Sequence, residues 1–167
     1  MIFDSGCGTG QSTRDIAAAY PDCWIIGIDQ SAHRLARTGS CQFPYRMENA
    51  IWVRAELASF WFLARQAGWK LQRHYLLYPN PWPKASQLKR RWHGHPVFPC
   101  LTELGGALEM RCNWEIYAQE FAAAVSQVRG IDVAVEEALP DRISSAFEAK
   151  YRNSGLALFR VRAGLNG

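Results

Sequence analysis

The sequence is short of the features that would place it in a membrane, in a disulfide scaffold or among repeat proteins. No apolar run approaches the ~20 residues that a membrane-spanning helix needs. Met1-Ile2-Phe3-Asp4 carries no basic head, long apolar stretch or small-residue cleavage site, so it does not read as a signal peptide. A cytoplasmic location is the expectation. The five cysteines, Cys7, Cys23, Cys41, Cys100 and Cys112, stand singly. No two have the spacing of a zinc knuckle, and an odd number argues against a disulfide framework. Buried free thiols are expected instead, and no metal. There is no internal repeat, low-complexity tract or long linker. The 167 residues, 49% of them apolar, fit one domain over residues 1–167 with a single substantial core.

What is present points to an anionic partner. The formal charge is +4, and its distribution tells more than its size. Lys84, Lys89, Arg90 and Arg91, with His93 and His95, crowd into one stretch that also holds Trp82 and Trp92. Basic and aromatic residues interleaved in this way suit phosphates and bases together; a solvated surface loop is the other reading.

Short apolar runs alternate with amphipathic stretches, the pattern of an α/β layer fold. Residues 23–28 (CWIIGI) read as a buried parallel strand. Residues 12–20 and 31–37 read as helices opened by capping hydroxyls. Further strands are expected at 50–54, 74–78, 107–111, 131–135 and 156–161. A helix is expected at 57–68, and another along the face marked by Trp114, Tyr117, Phe121, Val125 and Val128. The first strand has only about three residues ahead of a glycine turn, against a usual five or six. Either the protein begins upstream or this start is a shortened form; the first is expected.

Asp4-Ser5-Gly6-Cys7-Gly8-Thr9-Gly10 is the strongest local signal. Glycines at alternate positions let a backbone turn sharply from strand to helix with no side chain in a ligand's way. The G-x-G-x-G spacing, with an acid two residues ahead, differs from the G-x-G-x-x-G of dinucleotide sites. It resembles motif I of class I methyltransferases, which implies S-adenosylmethionine as cofactor, with Gly6, Gly8 and Gly10 beside it. Asp29 follows at the end of the next strand, where it could accept hydrogen bonds from both ribose hydroxyls; a cap on the helix near Ser31 is its other reading. Glu56 ends a third strand, where it would meet the adenine amino group or serve the first turn of a helix. Three acids at three strand ends place one ligand site on the carboxyl edge of the sheet.

The segment Tyr78-Pro79-Asn80-Pro81-Trp82-Pro83-Lys84, then Lys89-Arg90-Arg91, resembles the P-D-P-W-x-K…K-R-R signature of the tRNA (guanine-N7-)-methyltransferase family. Cys112-Asn113-Trp114 with Tyr117-Ala118, and Ser145-Ala146-Phe147-Glu148 with Gly155, resemble two later segments of that family. The likeness runs from Asp4 to about Val161. It implies a Rossmann-like class I fold, a mostly parallel central sheet with helices on both faces, and methyl transfer to guanine N7 of tRNA. By that analogy Asp4, Asp29 and Glu56 hold the cofactor. Asn80, Lys84, Asn113 and Ser145 to Glu148 face the guanine, with Asn80, Asn113 and Glu148 at the reacting centre. Lys89, Arg90 and Arg91 hold the RNA backbone. The chain departs from the family where Asn80 and Asn113 stand for aspartates, and where the Ser86-Gln87 stretch lacks the spacer histidine. Two other readings follow: a methyltransferase acting on another base, an amine or a small molecule, or a catalytically weak RNA-binding paralogue.

Overall fold

The computed structural model describes residues 1–138, 142–143 and 145–165, with only the backbone of Ala146. Eight described strands form one sheet: β1 (Ile2–Ser5), β2 (Ile25–Asp29), β3 (Tyr45–Met47), β4 (Ala50–Arg54), β5 (Arg73–Leu77), β6 (Ala107–Cys112), β7 (Val135–Glu137) and β8 (Phe159–Gly164). The helices are α1 (Gln11–Ala19), α2 (Ala32–Leu35), α3 (Leu57–Gln66), α4 (Phe98–Glu103), α5 (Glu115–Arg129) and α6 (Ala146–Asn153). The strand order is β3-β4-β2-β1-β5-β6-β8-β7. Strands β4, β2, β1, β5 and β6 are parallel, whereas β3 and β8 run against their neighbours. This is the Rossmann-like α/β sheet expected from the sequence. From β1 the chain steps outward to β2 and β4, then returns to lay β5 on the other side of β1. That reversal opens a crevice at the carboxyl ends of β1 and β5, where ligands of open α/β sheets bind.

Strand alternation sorts the core onto two faces. Phe3, Ile26, Ile28, Leu76, Leu108 and Met110 pack beneath Trp61 of α3, Leu101 of α4 and Phe121 of α5. On the other face Ile2, Ile25, Tyr75 and Leu77 meet Ile16 of α1, Ile143 and Leu158. Each large apolar side chain fully buried there contributes about 1.5–3 kcal/mol. All four residues of β1 are buried, so the strand is short but central.

The structure moves the last two strands three or four residues toward the C-terminus of the expected spans, and adds β3, α4 and α6. Strand β8 is set by its register with β6, Ala107 opposite Gly164 through Cys112 opposite Phe159, rather than by the apolar run at 156–159. Helix α6 had a sequence signal: Ser145 and Glu148 form the S-x-x-E pattern of a helix start, and Ser145 Oγ accepts the Glu148 backbone N–H at 3.1 Å. No helix among the described residues is long and apolar enough to cross a membrane.

Candidate functional site

The glycine turn leaves β1 with Gly6, Gly8 and Gly10 all in the left-handed region, which only glycine adopts freely. The three differ in surroundings. A Cβ at Gly8 would meet nothing, and one at Gly6 only Leu57 Cδ1 at 4.0 Å. At Gly10 a Cβ would fall 2.5 Å from Trp52 Nε1 and 2.7 Å from Thr38 Cγ2. Gly6 and Gly8 thus face open space, while Gly10 is closed against the core and allows α1 to pack.

Asp4, the last residue but one of β1, lies beside this turn and is 1% exposed. Its Oδ2 accepts Ser12 Oγ at 2.7 Å and Thr13 Oγ1 at 2.6 Å, while Oδ1 has no partner among the described residues. Burial lifts its pKa to about 6, against the lowering from Thr13 and Ser12. An unmatched buried acceptor next to open glycines fits a ligand that brings a cationic donor, as the ammonium of S-adenosylmethionine does. The sign of the pH effect follows. The folded pKa lies above the unfolded value of 3.8, so the folded state holds its proton longer, and ionisation costs stability as pH rises from about 4 to 6. Two units amount to about 3 kcal/mol. Denaturation midpoints at pH 4.5 and 7.5 should show this loss, and Asp4→Asn should flatten it; an unchanged pH profile in the variant would dismiss the assignment.

Asp29 at the end of β2 is 2% exposed and closes the turn from the other side. Its Oδ2 accepts the Gly8 N–H at 3.0 Å, and its Oδ1 accepts the Ser31 N–H at 2.8 Å and Arg34 Nη2 at 3.1 Å. The carboxylate therefore anchors the glycine turn and braces the start of α2 at once. Glu56 is the N-cap of α3: its oxygens accept Ala58 N–H and Ser59 N–H, each at 2.8 Å. Burial raises its pKa, but these hydrogen bonds hold it below the ordinary value. Glu56 still borders the main cavity, yet both carboxylate oxygens are engaged in capping.

That cavity, about 370 Å³, runs from Gly6, Asp29 and Glu56 to Tyr78, Asn80 and Trp82, with Arg34, Trp92, His95 and Phe147 on its walls. A smaller one of about 190 Å³ lies against the turn, bordered by Cys7, Gly8, Ser145 and Phe147. The segment after β5 enters the cavity in a strained form. Tyr78 and Trp82 have φ of +53° and +46°, a region that costs bulky residues about 1–2 kcal/mol each. Asn80 Oδ1 accepts the Trp82 N–H at 3.4 Å.

Arg91, expected at the RNA backbone, holds this segment from within. It is buried; its Nε and Nη2 both donate to the Trp82 carbonyl at 3.2 Å, and its Nη1 pairs with Glu120. Its guanidinium also lies 4.7 Å over the Trp114 ring. These bonds and its burial, 5% exposed, keep it inside the protein, where it braces the Asn80–Trp82 segment. Lys84, Lys89 and Arg90 are exposed, and Arg90 covers the Trp82 ring at 4.9 Å.

Glu148 is a second displacement. Rather than facing the cavity, it is 2% exposed beneath α6. Its Oε2 takes Arg111 Nη1 at 3.1 Å, and its Oε1 takes Arg152 Nη2 at 3.0 Å. Arg111 in turn holds Glu109, which pairs with Arg162. Asn113 lies half-buried just past β6 and is absent from the walls of either cavity. The structure thus brings Gly6, Asp29, Glu56, Asn80 and Arg90 to one space, with Gly8 and Ser145 beside it, and keeps Asp4 and Gly10 behind the walls. It leaves Glu148 and Arg91 as internal braces. Phe147, within the segment expected to face the guanine, is on the wall. Ser5, Arg34 and His95 are wall residues that motif reading gave no role; His95 stood in the basic stretch, while Ser5 and Arg34 had no signal of their own.

Known proteins resemble this chain in sequence and in fold. The profile of a family described as "Putative methyltransferase" matches residues 1–161. The tRNA (guanine-N(7)-)-methyltransferase of Brevibacillus brevis is 25% identical over 167 residues, covering 95% of this chain and 77% of that protein. Its namesake from Anaeromyxobacter dehalogenans is 28% identical over 172 residues, covering 97% and 84%. Among solved structures, the 16S rRNA methyltransferase KamB superposes with a TM-score of 0.68 at 12% identity, over 99% of this chain and 87% of that one. At that identity the likeness concerns the fold.

Proposed function

From the premise that this chain belongs to that methyltransferase family, we propose that it transfers a methyl group from S-adenosylmethionine to guanine N7 of tRNA, in the cytoplasm. The observation that carries the reading is the single cavity joining Gly6, Asp29 and Glu56 to the Asn80–Trp82 segment, because transfer needs cofactor and base in one space. The names of the similar proteins from Brevibacillus and Anaeromyxobacter support the substrate.

Bound cofactor supplies an electrophilic methyl group on a sulfonium. Guanine N7 offers a free lone pair, so no residue of the chain has to remove a proton. What the chain must do is orient the base, exclude water and tolerate the positive charge that the purine acquires. Asp4 and Asp29 hold the cofactor end. Trp82 and Phe147 offer aromatic walls to a purine, and Asn80 presents an amide to it. An amide keeps an acceptor oxygen but no charge, so Asn80→Asp is expected to raise the N7 transfer rate roughly tenfold or more. Asn113→Asp, lying off the cavity walls, should change it little. Single-turnover rates of both variants decide this, and a gain only at Asn113 would reverse the assignment.

Lys84, Lys89 and Arg90 are the cations free to meet the RNA backbone. Replacing all three with Ala should weaken tRNA binding and shallow its salt dependence by about two to three units of slope. Titrations at several salt concentrations measure it, and an unchanged slope would return this stretch to solvated surface. The test of the whole reading is nucleoside mass spectrometry of tRNA lacking 7-methylguanosine, after incubation with protein and S-adenosylmethionine. Appearance of 7-methylguanosine is the expected result. A folded, cofactor-binding protein that yields none would shift the acceptor to another base or an amine.

A further inference from the structure

Three polar side chains that the proposed function does not use meet at the floor of the main cavity. Ser5, the last residue of β1, borders that cavity. Its Oγ lies 2.7 Å from His74 Nε2 on β5 and accepts Trp61 Nε1–H from α3 at 3.0 Å. Ser5 is 1% exposed, and His74 and Trp61 are 0% exposed. They sit among Phe3, Leu76 and other apolar neighbours, where a polar group is costly unless paired.

The proton positions follow from the partners. An indole N–H can only donate. Burial pushes the His74 pKa down to about 3, so the imidazole is neutral and carries one N–H. His74 Nδ1 has no partner among the described residues. A proton on Nδ1 would bury a donor with nothing to accept it. A proton on Nε2 makes a hydrogen bond to Ser5, leaves a buried lone pair on Nδ1, and turns the Ser5 hydrogen toward the cavity, where solvent or a ligand can accept it. The second arrangement is the cheaper one. Ser5 Oγ then receives two N–H donors, which fill both its lone pairs. Its own hydrogen is left over, with no acceptor among the described residues, at the wall of a cavity.

Strand order says which part of a ligand lies there. Along the carboxyl edge β4 ends near Glu56, β2 at Asp29 and β1 at Ser5, in that spatial sequence. With adenine toward Glu56 and ribose at Asp29, the amino-acid end of the cofactor comes next, over β1. We infer that the Ser5 hydroxyl, fixed by Trp61 and His74, donates a hydrogen bond to the carboxylate of the cofactor's amino-acid moiety. The inference rests on the cofactor reading above but is independent of the methyl acceptor.

Two ligands separate the outcomes. S-adenosylhomocysteine carries the amino-acid end, and 5′-methylthioadenosine keeps the nucleoside and thioether without it. Calorimetry on the full chain should show Ser5→Ala losing about ten- to a hundredfold in affinity for the first, the loss expected of one hydrogen bond to a charged group. Affinity for the second should stay within about twofold, since that ligand has no group for the hydroxyl to meet. Because Ser5→Ala strands two buried donors, the apolar combination Ser5→Ala, His74→Leu and Trp61→Phe serves as the second variant; it removes every member of the cluster and should show the same split. An equal loss for both ligands, or no loss for either, overturns the inference. Failure of the unaltered protein to bind either ligand would instead overturn the cofactor reading, and this inference with it.

Discussion

Replacing Arg111 with alanine is expected to remove about 3–5 kcal/mol of folding stability. Against a usual total of about 5–15 kcal/mol, that is enough to leave the variant partly unfolded at growth temperature. The guanidinium is 1% exposed. It pairs with Glu109 Oε1 at 2.6 Å, donates to the Ile143 carbonyl at 2.7 Å and meets Glu148 at 3.1 Å. Glu109 and Glu148 are themselves 7% and 2% exposed. Without the guanidinium, the two buried carboxylates lose the cation between them and, among the described residues, keep Arg162 and Arg152 at their outer ends. Breaking one partner from a buried pair is far costlier than the pair's net worth, because the remaining charges stay behind unsolvated. Replacing the cluster together, Glu109→Leu, Arg111→Met and Glu148→Leu, should therefore recover most of the loss. Urea denaturation with a constant m-value measures both. A single-variant cost below about 1 kcal/mol would mean that water already reaches the cluster. The network also carries function at one remove, since α6 bears Ser145 and Phe147 at the cavities and is tied to the sheet through Glu148.

This network shows where sequence reading stops. The strands that flank the ligand edge were legible because parallel, doubly covered strands are apolar from end to end: residues 50–54 were placed without error, and 74–78 within one residue. The end of β8, from Arg162 to Gly164, was not, since Arg162 on a sheet face makes sense only once Glu109 stands opposite. The same holds for Glu148. Its acidity and its place in a motif point toward a reacting centre, whereas the guanidinium of Arg111, 37 residues away, stands beside it only in the folded chain, with Arg152 one helical turn on. Arg91 reads as one more member of a basic run; what distinguishes it from Arg90 is the turn of backbone that brings the Trp82 carbonyl to it. Asp4, Asp29 and Asn80 were legible because strand ends and glycine turns fix backbone positions, and the ligand edge of an α/β sheet is a property of topology. Ser5 was not, because its significance depends on His74 and Trp61, 69 and 56 residues away.

Asp29→Ala is expected to weaken S-adenosylmethionine binding by about 10²–10⁴-fold, the loss of two hydrogen bonds to a charged acceptor at about 1.5–3 kcal/mol each. The geometry makes this a demanding prediction, because the carboxylate already accepts three donors: Gly8 N–H, Ser31 N–H and Arg34 Nη2. A carboxylate has about four acceptor sites. One remains on Oδ2, enough for one ribose hydroxyl. The second hydroxyl requires Arg34 to leave Oδ1. Its side chain is 42% exposed, so the guanidinium can turn into solvent while the ribose hydroxyl takes over its hydrogen bond to the buried carboxylate. Arg34→Ala should therefore leave cofactor affinity unchanged or raise it a few-fold, in contrast to the loss at Asp29. Part of the Asp29→Ala loss comes from releasing the Gly8 N–H and loosening the glycine turn. 2′-Deoxyadenosine and adenosine separate the two contributions by calorimetry. If Asp29 grips the ribose, the wild-type preference for adenosine should vanish in the variant. A preference that survives the substitution would leave Asp29 as an anchor of the turn alone, and would place the ribose contact on another residue of the cavity wall.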